Sequence, residues 1–339
     1  MTGSRTPVAA AAVLVSALAC GCALQRTAPP GADRPAEAET WTPPSAVPAP
    51  PAPFAPLSPL FPAAGIPRPG PVPPEPPEVS GSALTRAIDR SLAGYGGRLT
   101  AAARDLSTGR DYHYRGDLRL LTASTSKVNI LAALLLDTPW KALDARARRD
   151  ADRMIRLSDN HAADRLYESI GLEAGLAEAN RRLGLERTHA PSGRCVDLYC
   201  WGITRTTAED QLRLLEALAT ERGPLAREDR ERVLRLMEEV IPEQRWGISA
   251  AACPGERVAL KNGWLRRVSD GRWVVVSAGL IRGFGHDYAV AVLSEGNRRM
   301  AAGVTAVEGV AERILSAFRG EAECPGKGNR RALRKGSEE

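Results

Sequence analysis

The order of strand and helix patterns predicts an α/β fold of the α+β kind, in which a five-stranded antiparallel sheet carries terminal helices and an inserted all-helical lobe. A helix pattern and a hairpin pattern open the folded part of the chain. A block of amphipathic helix patterns follows, and three strand patterns with a final helix close it. Because the first two and last three strands can pair in one sheet, we expect a functional site between the sheet and the helical lobe.

The amino-terminal residues 1–22 predict a secretory signal sequence. Their apolar run over residues 8–19 is too short to cross a bilayer, and a small-x-small cleavage pattern stands directly before Cys20. Cys20 and Cys22 are the candidate lipidation sites of a bacterial lipoprotein anchored at the outer face of the cytoplasmic membrane. A soluble exported protein is the alternative.

Residues 23–80 form a predicted disordered linker that is rich in proline and alanine. Such a composition cannot bury a core and favours an extended, semi-rigid spacer. The predicted folded domain covers residues 81–320, and a basic polar tail covers residues 321–339. The net charge of +6 lies partly in that tail and forms no stripe with interleaved aromatic residues, which argues against a nucleic-acid partner.

The folded part opens with an amphipathic helix over residues 81–94. Two strands over residues 98–106 and 110–115 then flank a Ser-Thr-Gly turn, which predicts a hairpin. The next helix, over residues 122–136, is apolar on nearly every side, so we expect it to be buried at the centre of the fold.

The helical block follows Pro139, and its elements are bounded by the usual start and stop signals. Thr206 with Glu209 three positions later matches a capping box, which predicts a helix start at Thr206. The predicted helices of this block cover residues 144–157, 172–183, 206–218 and 228–240. The strands and the helix that close the domain are predicted at residues 257–264, 272–281, 287–294 and 304–318.

Four cysteines lie beyond the leader and linker: Cys195, Cys200, Cys253 and Cys324. An even count in an exported protein indicates disulfides, and four cysteines allow three pairings. Pairing the close Cys195 and Cys200 would clip one loop and leave Cys253 with Cys324. Their spacing matches no zinc pattern, and we predict no cofactor or metal.

A serine and a lysine begin the central apolar helix as Ser124-x-x-Lys127. Residues three positions apart lie on one helix face, about one turn apart. A serine becomes a good nucleophile when a neighbour takes its proton, and lysine can do so as the neutral amine, which requires burial or nearby positive charge. By itself the pair also fits a helix cap with an exposed lysine.

Two further short motifs follow in order. Ser158-Asp159-Asn160 precedes a helix, where a plain helix cap is the alternative, and Lys261-Asn262-Gly263 lies near the end of a strand, where a bulge is the alternative. Together with Ser124-x-x-Lys127, in this order and context, they resemble the penicillin-recognising serine enzymes, and most closely the class A β-lactamase-like serine hydrolases. The resemblance covers residues 81–318 and implies the β-lactamase/transpeptidase-like fold.

The resemblance implies a role for each matching residue. Ser124 would attack an amide carbonyl with Lys127 as its base, and Ser158 would pass a proton to the leaving nitrogen. The predicted substrate-binding residues are Asn160, Lys261, Asn262, Gly263 and Trp264, with the oxyanion between the backbone N–H groups of Ser124 and Trp264. The implied substrate is a small β-lactam or a peptidoglycan-like peptide, and we expect the chain to act as a monomer.

The chain departs from the family pattern at several positions. Alignment of the loop after the helices places Ala190 where the family has its deacylating glutamate, which predicts acylation followed by slow deacylation. Asn262 replaces the usual hydroxyl residue, and Trp264 adds a large ring beside the pocket. Ser158 follows Ser124 by 34 positions (158 minus 124), which is fewer than is usual. The alternative function is a non-catalytic lipoprotein that uses the fold for binding or scaffolding.

Overall fold

The computed structural model describes residues 81–191, 196–320 and Cys324. The predicted signal sequence and linker lie outside the described residues, as do Cys20, Cys22, Cys195 and the tail apart from Cys324. The predictions for those segments therefore stay predictions.

A five-stranded antiparallel sheet organises the described chain and confirms the predicted fold class. The strands are β1 (Arg98–Asp105), β2 (Asp111–Tyr114), β3 (Leu120–Leu121), β4 (Arg205–Thr206), β5 (Arg257–Arg266), β6 (Trp273–Gly283) and β7 (His286–Asn297). The strand order of the large sheet is β2-β1-β7-β6-β5, which places β5 at an edge, and β3 pairs with β4 in a separate two-stranded sheet.

Helices cover both faces of the large sheet. Those at the two ends of the described chain pack together on one face, and the block between β3 and β5 forms the second lobe on the other. They are α1 (Gly81–Ser91), α2 (Ser126–Asp137), α3 (Ala145–Asp152), α4 (Asn160–Ser169), α5 (Leu172–Arg182), α6 (Ala208–Ala219), α7 (Arg227–Glu238) and α8 (Met300–Arg319). No helix in the described ranges is long and apolar enough to cross a membrane.

Alternating residues of the sheet contribute to two separate apolar clusters. Ala259 packs with the central helix α2 in one cluster, whereas its neighbour Leu260 packs with α8 in the other. This follows from the period of two along a strand. The same alternation puts Lys261 on the face of the helical lobe and Asn262 on the opposite face, so consecutive residues of β5 serve different sides of the sheet.

The start of α6 differs from the predicted capping box by one residue. Thr206 pairs with Leu120 in the small sheet, and its Oγ1 bonds to the Thr188 hydroxyl at 2.7 Å rather than to a backbone N–H of the helix. Thr207 is the N-cap, and its side-chain oxygen accepts a hydrogen bond from the Asp210 backbone N–H at 3.1 Å. The prediction of Thr206 was wrong because a two-residue strand has no periodicity that a sequence pattern could reveal.

A disulfide joins Cys253, which precedes β5, to Cys324 beyond α8, with a Cα–Cα distance of 5.2 Å. This bond confirms the predicted pairing of these two cysteines. The pairing of Cys195 with Cys200 stays a prediction because Cys195 lies outside the described residues. A second contact supports the same junction, since Arg319 at the end of α8 forms an ion pair with the buried Glu256 at 2.8 Å.

The double substitution Cys253→Ser with Cys324→Ser is expected to lower the free energy of unfolding. The bond joins residues that are 71 positions apart in the sequence. Loss of such a cross-link lowers the free energy of unfolding by about 2–4 kcal/mol, because the unfolded chain gains conformational entropy. Urea unfolding followed by circular dichroism measures the change. A reducing agent should lower the native midpoint at least to that of the double variant, because it would also open the predicted Cys195–Cys200 bond. An unchanged native midpoint under reduction would contradict the prediction.

Candidate active site

Ser124 and Lys127 lie at the start of the central helix. A short 3-10 turn, Ala123–Thr125, carries Ser124 directly into α2, and Lys127 occupies the first turn of that helix. The Lys127 Nζ lies 3.1 Å from the Ser124 Oγ, so the two groups share a hydrogen bond. Both are buried, with 7% of Ser124 and none of Lys127 exposed. The alternative of an exposed lysine does not fit this geometry.

The Lys127 amine is surrounded by acceptors. Besides the Ser124 Oγ, three oxygens lie within hydrogen-bond distance of its Nζ: the Ser158 backbone oxygen at 2.6 Å, the Ser158 Oγ at 3.0 Å and the Asn160 Oδ1 at 2.8 Å. Burial lowers the pKa of Lys127 to about 7, against the opposing charges of Asp159 and Asp164. A substantial share of the amine is therefore neutral near neutral pH, which is the form that can accept a proton.

Ser158 is placed beside Lys127 by a π-helical turn and by its own left-handed backbone conformation. A π-helical turn, Arg153–Leu157, follows α3, and Ser158 then adopts a left-handed conformation with φ 57° and ψ 35°. Left-handed backbone is uncommon for residues other than glycine and is a form of strain found at functional sites. The turn lets both the backbone oxygen and the hydroxyl of Ser158 face Lys127, despite the short separation from Ser124.

Asp159 is the helix cap that the Ser-Asp-Asn motif also predicted. Its Oδ1 accepts a hydrogen bond from the Ala162 backbone N–H at 2.9 Å, and its Oδ2 accepts from the Arg153 Nε at 2.9 Å. The cap fixes the start of α4, so Ser158 and Asn160 on either side of it are held toward Lys127. The motif therefore serves as a cap and as part of the site.

Lys261 enters from the sheet. Its Nζ lies 3.0 Å from the Ser158 Oγ and also donates to the Gln244 Oε1 at 3.3 Å and the Asn262 backbone oxygen at 2.9 Å. Burial and the positive charge of Lys127 hold the pKa of Lys261 well below its ordinary value. The Ser158 hydroxyl thus lies between two lysine amines, one from each lobe.

The residues after Lys261 have different surroundings. Gly263 packs against Ser124, because a Cβ at this position would lie 2.6 Å from the Ser124 backbone nitrogen. Asn262 is fully buried and donates from Nδ2 to the carbonyl oxygens of Gln244 at 2.7 Å and Trp246 at 2.8 Å. Trp264 is half-buried, with its ring centroid 5.9 Å from that of Trp246.

Three site residues were missed by the sequence analysis. Trp201 is fully buried with its ring centroid 4.7 Å from the Lys127 Nζ, and its indole donates to the Asp164 Oδ1 at 2.9 Å. Gln244 bridges the lobes, because it accepts from Lys261 and donates to the Leu157 backbone oxygen at 3.0 Å. Only Asp164 had a signal, since it follows Asn160 by four positions on the same face of a helix.

Ala190 is half-buried in the loop before α6. The preceding residue, His189, exchanges two backbone hydrogen bonds with Arg205, each of 2.9 Å. The buried Asn180 adds a further tie by donating to the Thr188 backbone oxygen at 3.2 Å. The loop segment up to Ala190 is therefore held by backbone pairing, and the side chain at this position is a methyl group that cannot activate water.

Within the described ranges, no group of three or more His, Cys, Asp or Glu residues is placed to hold a metal ion.

The sequence matches the family model described as the β-lactamase enzyme family over residues 83–148 and 141–318. Proteins of Mycobacterium bovis and Mycobacterium tuberculosis, both named as the candidate lipoprotein LppW, are 29% identical over 207 residues, which is 58% of this chain and 63% of theirs. The chain thus matches less than two thirds of the length of these relatives.

Solved structures share the fold. PBP-A matches with a TM-score of 0.60 at 20% identity, covering 70% of this chain and 96% of PBP-A. A PBP-A variant in an acyl-enzyme complex with penicillin G gives 0.60 at 21% identity, with 72% and 99% covered. A β-lactamase of Desulfarculus baarsii gives 0.60 at 20% identity, with 71% and 99% covered. The likeness at these identities shows the fold, and the family match over most of the described residues shows that this chain belongs to the β-lactamase enzyme family.

Proposed function

We propose that the protein is an exported serine acyl-transfer hydrolase that acts on amide or β-lactam-like substrates through an acyl-enzyme on Ser124. One observation carries the proposal: the Lys127 amine lies 3.1 Å from the Ser124 Oγ and 3.0 Å from the Ser158 Oγ, with its pKa lowered to about 7. A buried amine that is neutral near neutral pH can remove the serine proton. A helix cap or an ordinary core lysine would not explain why a buried amine lies beside two serine hydroxyls.

The acylation step follows from these contacts. Neutral Lys127 takes the proton from the Ser124 hydroxyl as its Oγ bonds to the substrate carbonyl carbon. The carbon–nitrogen bond then breaks, leaving an ester on Ser124. Ser158 hydrogen-bonds to Lys127 and can pass the proton to the leaving nitrogen, so Lys127 ends the step neutral.

Substrate binding draws on the other motif residues. Lys261 would pair with a substrate carboxylate, and that negative charge would raise the pKa of Lys261 from its lowered value. Asn160 would bind the substrate amide, and the backbone N–H groups of Ser124 and Trp264 would bind the oxyanion. Asn262 contributes through position, because its amide donors are already bound to the carbonyl oxygens of Gln244 and Trp246.

Slow deacylation is the second part of the proposal. Ala190 offers no group to activate water at the place where the family has a glutamate. The PBP-A variant forms an acyl-enzyme complex with penicillin G, which supports a β-lactam or a peptidoglycan-like peptide as the substrate class for this chain. The naming of the mycobacterial relatives as lipoproteins supports a lipid-anchored place in the cell envelope, with Cys20 or Cys22 as the lipidated residue.

Incubation of the purified protein with benzylpenicillin is expected to give a long-lived adduct of one penicillin mass on Ser124, because the acylating groups are assembled and a deacylating carboxylate is lacking. Intact-mass spectrometry over time, with peptide mapping, measures formation and loss of the adduct. The matched control is Ser124→Ala, which should give none.

Rapid turnover of penicillin without an accumulated adduct would contradict the slow deacylation. Absence of any adduct, with penicillins, cephalosporins and a fluorophosphonate probe alike, would overturn the acyl-transfer proposal and favour the non-catalytic lipoprotein.

The rate of acylation is expected to rise with pH through about 7 and then level off, because Lys127, whose pKa is lowered to about 7, acts as the neutral amine. Below that pH the amine is protonated and cannot accept the serine proton. Adduct formation measured from about pH 5 to about pH 9 tests this profile. Lys127→Arg, which stays protonated, should lose the profile and most of the rate. A native rate that is still rising steeply at about pH 9, as expected for a lysine with the ordinary pKa of about 10.4, would contradict the assignment.

Gly263→Ala is expected to lower the acylation rate by about 10²-fold. The new methyl group would lie 2.6 Å from the Ser124 backbone nitrogen and 2.9 Å from the Val276 Cγ2, so β5 and the nucleophile must separate. Gly309→Ala is the matched control, since its methyl group would meet only the flexible Arg313 side chain at 3.1 Å. Equal acylation rates in the two variants would show that this close approach has no catalytic role.

A further inference from the structure

The side chain of Trp201 covers the catalytic lysine. The ring is fully buried, and its centroid lies 4.7 Å from the Lys127 Nζ. The four oxygen acceptors of that amine come from Ser124, Ser158 and Asn160. The indole therefore packs against the same amine and occupies space beside it. A water molecule in that space would lie beside Lys127, whose Nζ is 3.1 Å from the Ser124 Oγ.

Hydrogen bonds with Asp164 and Thr122 hold Trp201 in place. The indole N–H donates to the Asp164 Oδ1 at 2.9 Å, and the Trp201 backbone oxygen accepts from the Thr122 Oγ1 at 3.2 Å. Thr122 directly precedes the 3-10 turn of Ser124, and Asp164 lies one turn after Asn160 in α4. The ring is thus fixed by both segments that supply catalytic groups.

Asp164 is the carboxylate that engages the indole. Asp159 and Asp164 are the carboxylates whose charge reaches Lys127. Both oxygens of Asp159 are already used, by the Ala162 backbone N–H and by Arg153. Asp164 instead accepts from the indole, so the same ring that fills the space for water also engages the remaining carboxylate.

We propose that the Trp201 indole shields the Ser124 acyl-enzyme from water and that Asp164 is the positioning residue that holds the indole over Lys127. The shield rests on the proposed function, since it governs the lifetime of the ester formed there. The slow hydrolysis of the ester then has two causes: the Trp201 ring fills the space that water would need, and Ala190 lacks a carboxylate. Exclusion of water is a recognised way in which a closed site protects a reactive intermediate.

Removal of the ring would permit a balanced hydrolytic step. A water oxygen would bond to the acyl carbon while one water proton passes to the neutral Lys127 amine, which the indole no longer covers. The bond between the acyl carbon and the Ser124 Oγ would then break. Lys127 would return the proton to that oxygen, which releases the acid and regenerates the free enzyme.

The test compares adduct lifetimes on the full chain after benzylpenicillin labelling and removal of excess reagent. Trp201→Leu and Trp201→Ala are expected to lose the adduct at least about tenfold faster than the native protein. A tenfold change in rate corresponds to about 1.4 kcal/mol in the activation free energy of hydrolysis. Trp201→Leu keeps apolar packing in case the alanine variant fails to fold, and thermal melts check both. Trp140→Leu is the matched control, because that ring contacts Arg232 rather than Lys127.

Variants of Asp164 test its positioning role. Asp164→Ala removes the acceptor for the indole, so the adduct should be lost faster. Asp164→Asn keeps an acceptor oxygen and should restore the native lifetime, while the lost negative charge should move the pH profile of acylation to lower pH, because that charge opposes the lowering of the Lys127 pKa. A merely structural role would not separate lifetime from pH profile in this way.

The outcomes distinguish the two proposals. A native chain that forms no adduct overturns the proposed function, and the shield with it. An adduct whose lifetime is the same in the native protein and in a folded Trp201→Leu variant overturns the shield and leaves the proposed function standing. Equal lifetimes in Asp164→Ala and Asp164→Asn overturn the positioning role of Asp164.

Discussion

Two lysine amines converge on one serine hydroxyl in a site closed to bulk water. Lys127 and Lys261 each lie 3.0 Å from the Ser158 Oγ, and burial lowers the pKa of both. Desolvation disfavours the charged form of an amine, and a second nearby cation disfavours it further. The arrangement therefore costs folding stability and leaves the Lys127 amine partly neutral near neutral pH, as its proposed role as a base requires. The packing of both lobes maintains that burial.

The two lysines and the serine come together only when the helical lobe packs against the sheet in one arrangement. Lys127 comes from the central helix, Ser158 from the π-helical turn and Lys261 from an edge strand of the sheet. Gly263 permits the strand to approach the helix, and Gln244 bridges Lys261 to the backbone before Ser158. Asn262 ties the opposite face of the same strand to the segment around Trp246. These contacts make the site a property of the lobe interface rather than of any single element.

The elements that were predictable from sequence are those with a regular period or a local signal. The five strands alternate or run apolar, so the sheet could be predicted, whereas the two-residue strands β3 and β4 could not, and the helix start at Thr207 was displaced with them. Ser124 and Lys127 became informative in combination with two later motifs. Trp201 and Gln244 could not be predicted, because their roles arise from contacts with residues 74 and 17 positions away (201 minus 127, 261 minus 244).

The left-handed backbone at Ser158 means that a more stable residue at this position would lack the hydroxyl that the proposed chemistry uses. Glycine adopts such a conformation without steric strain, so replacement of Ser158 by glycine would relieve the local backbone. The same replacement would delete the hydroxyl that lies between the two lysines. Searches for more stable variants would therefore favour changes here that silence the site. A variant at this position with a higher melting temperature should therefore be checked for loss of the proposed acylation.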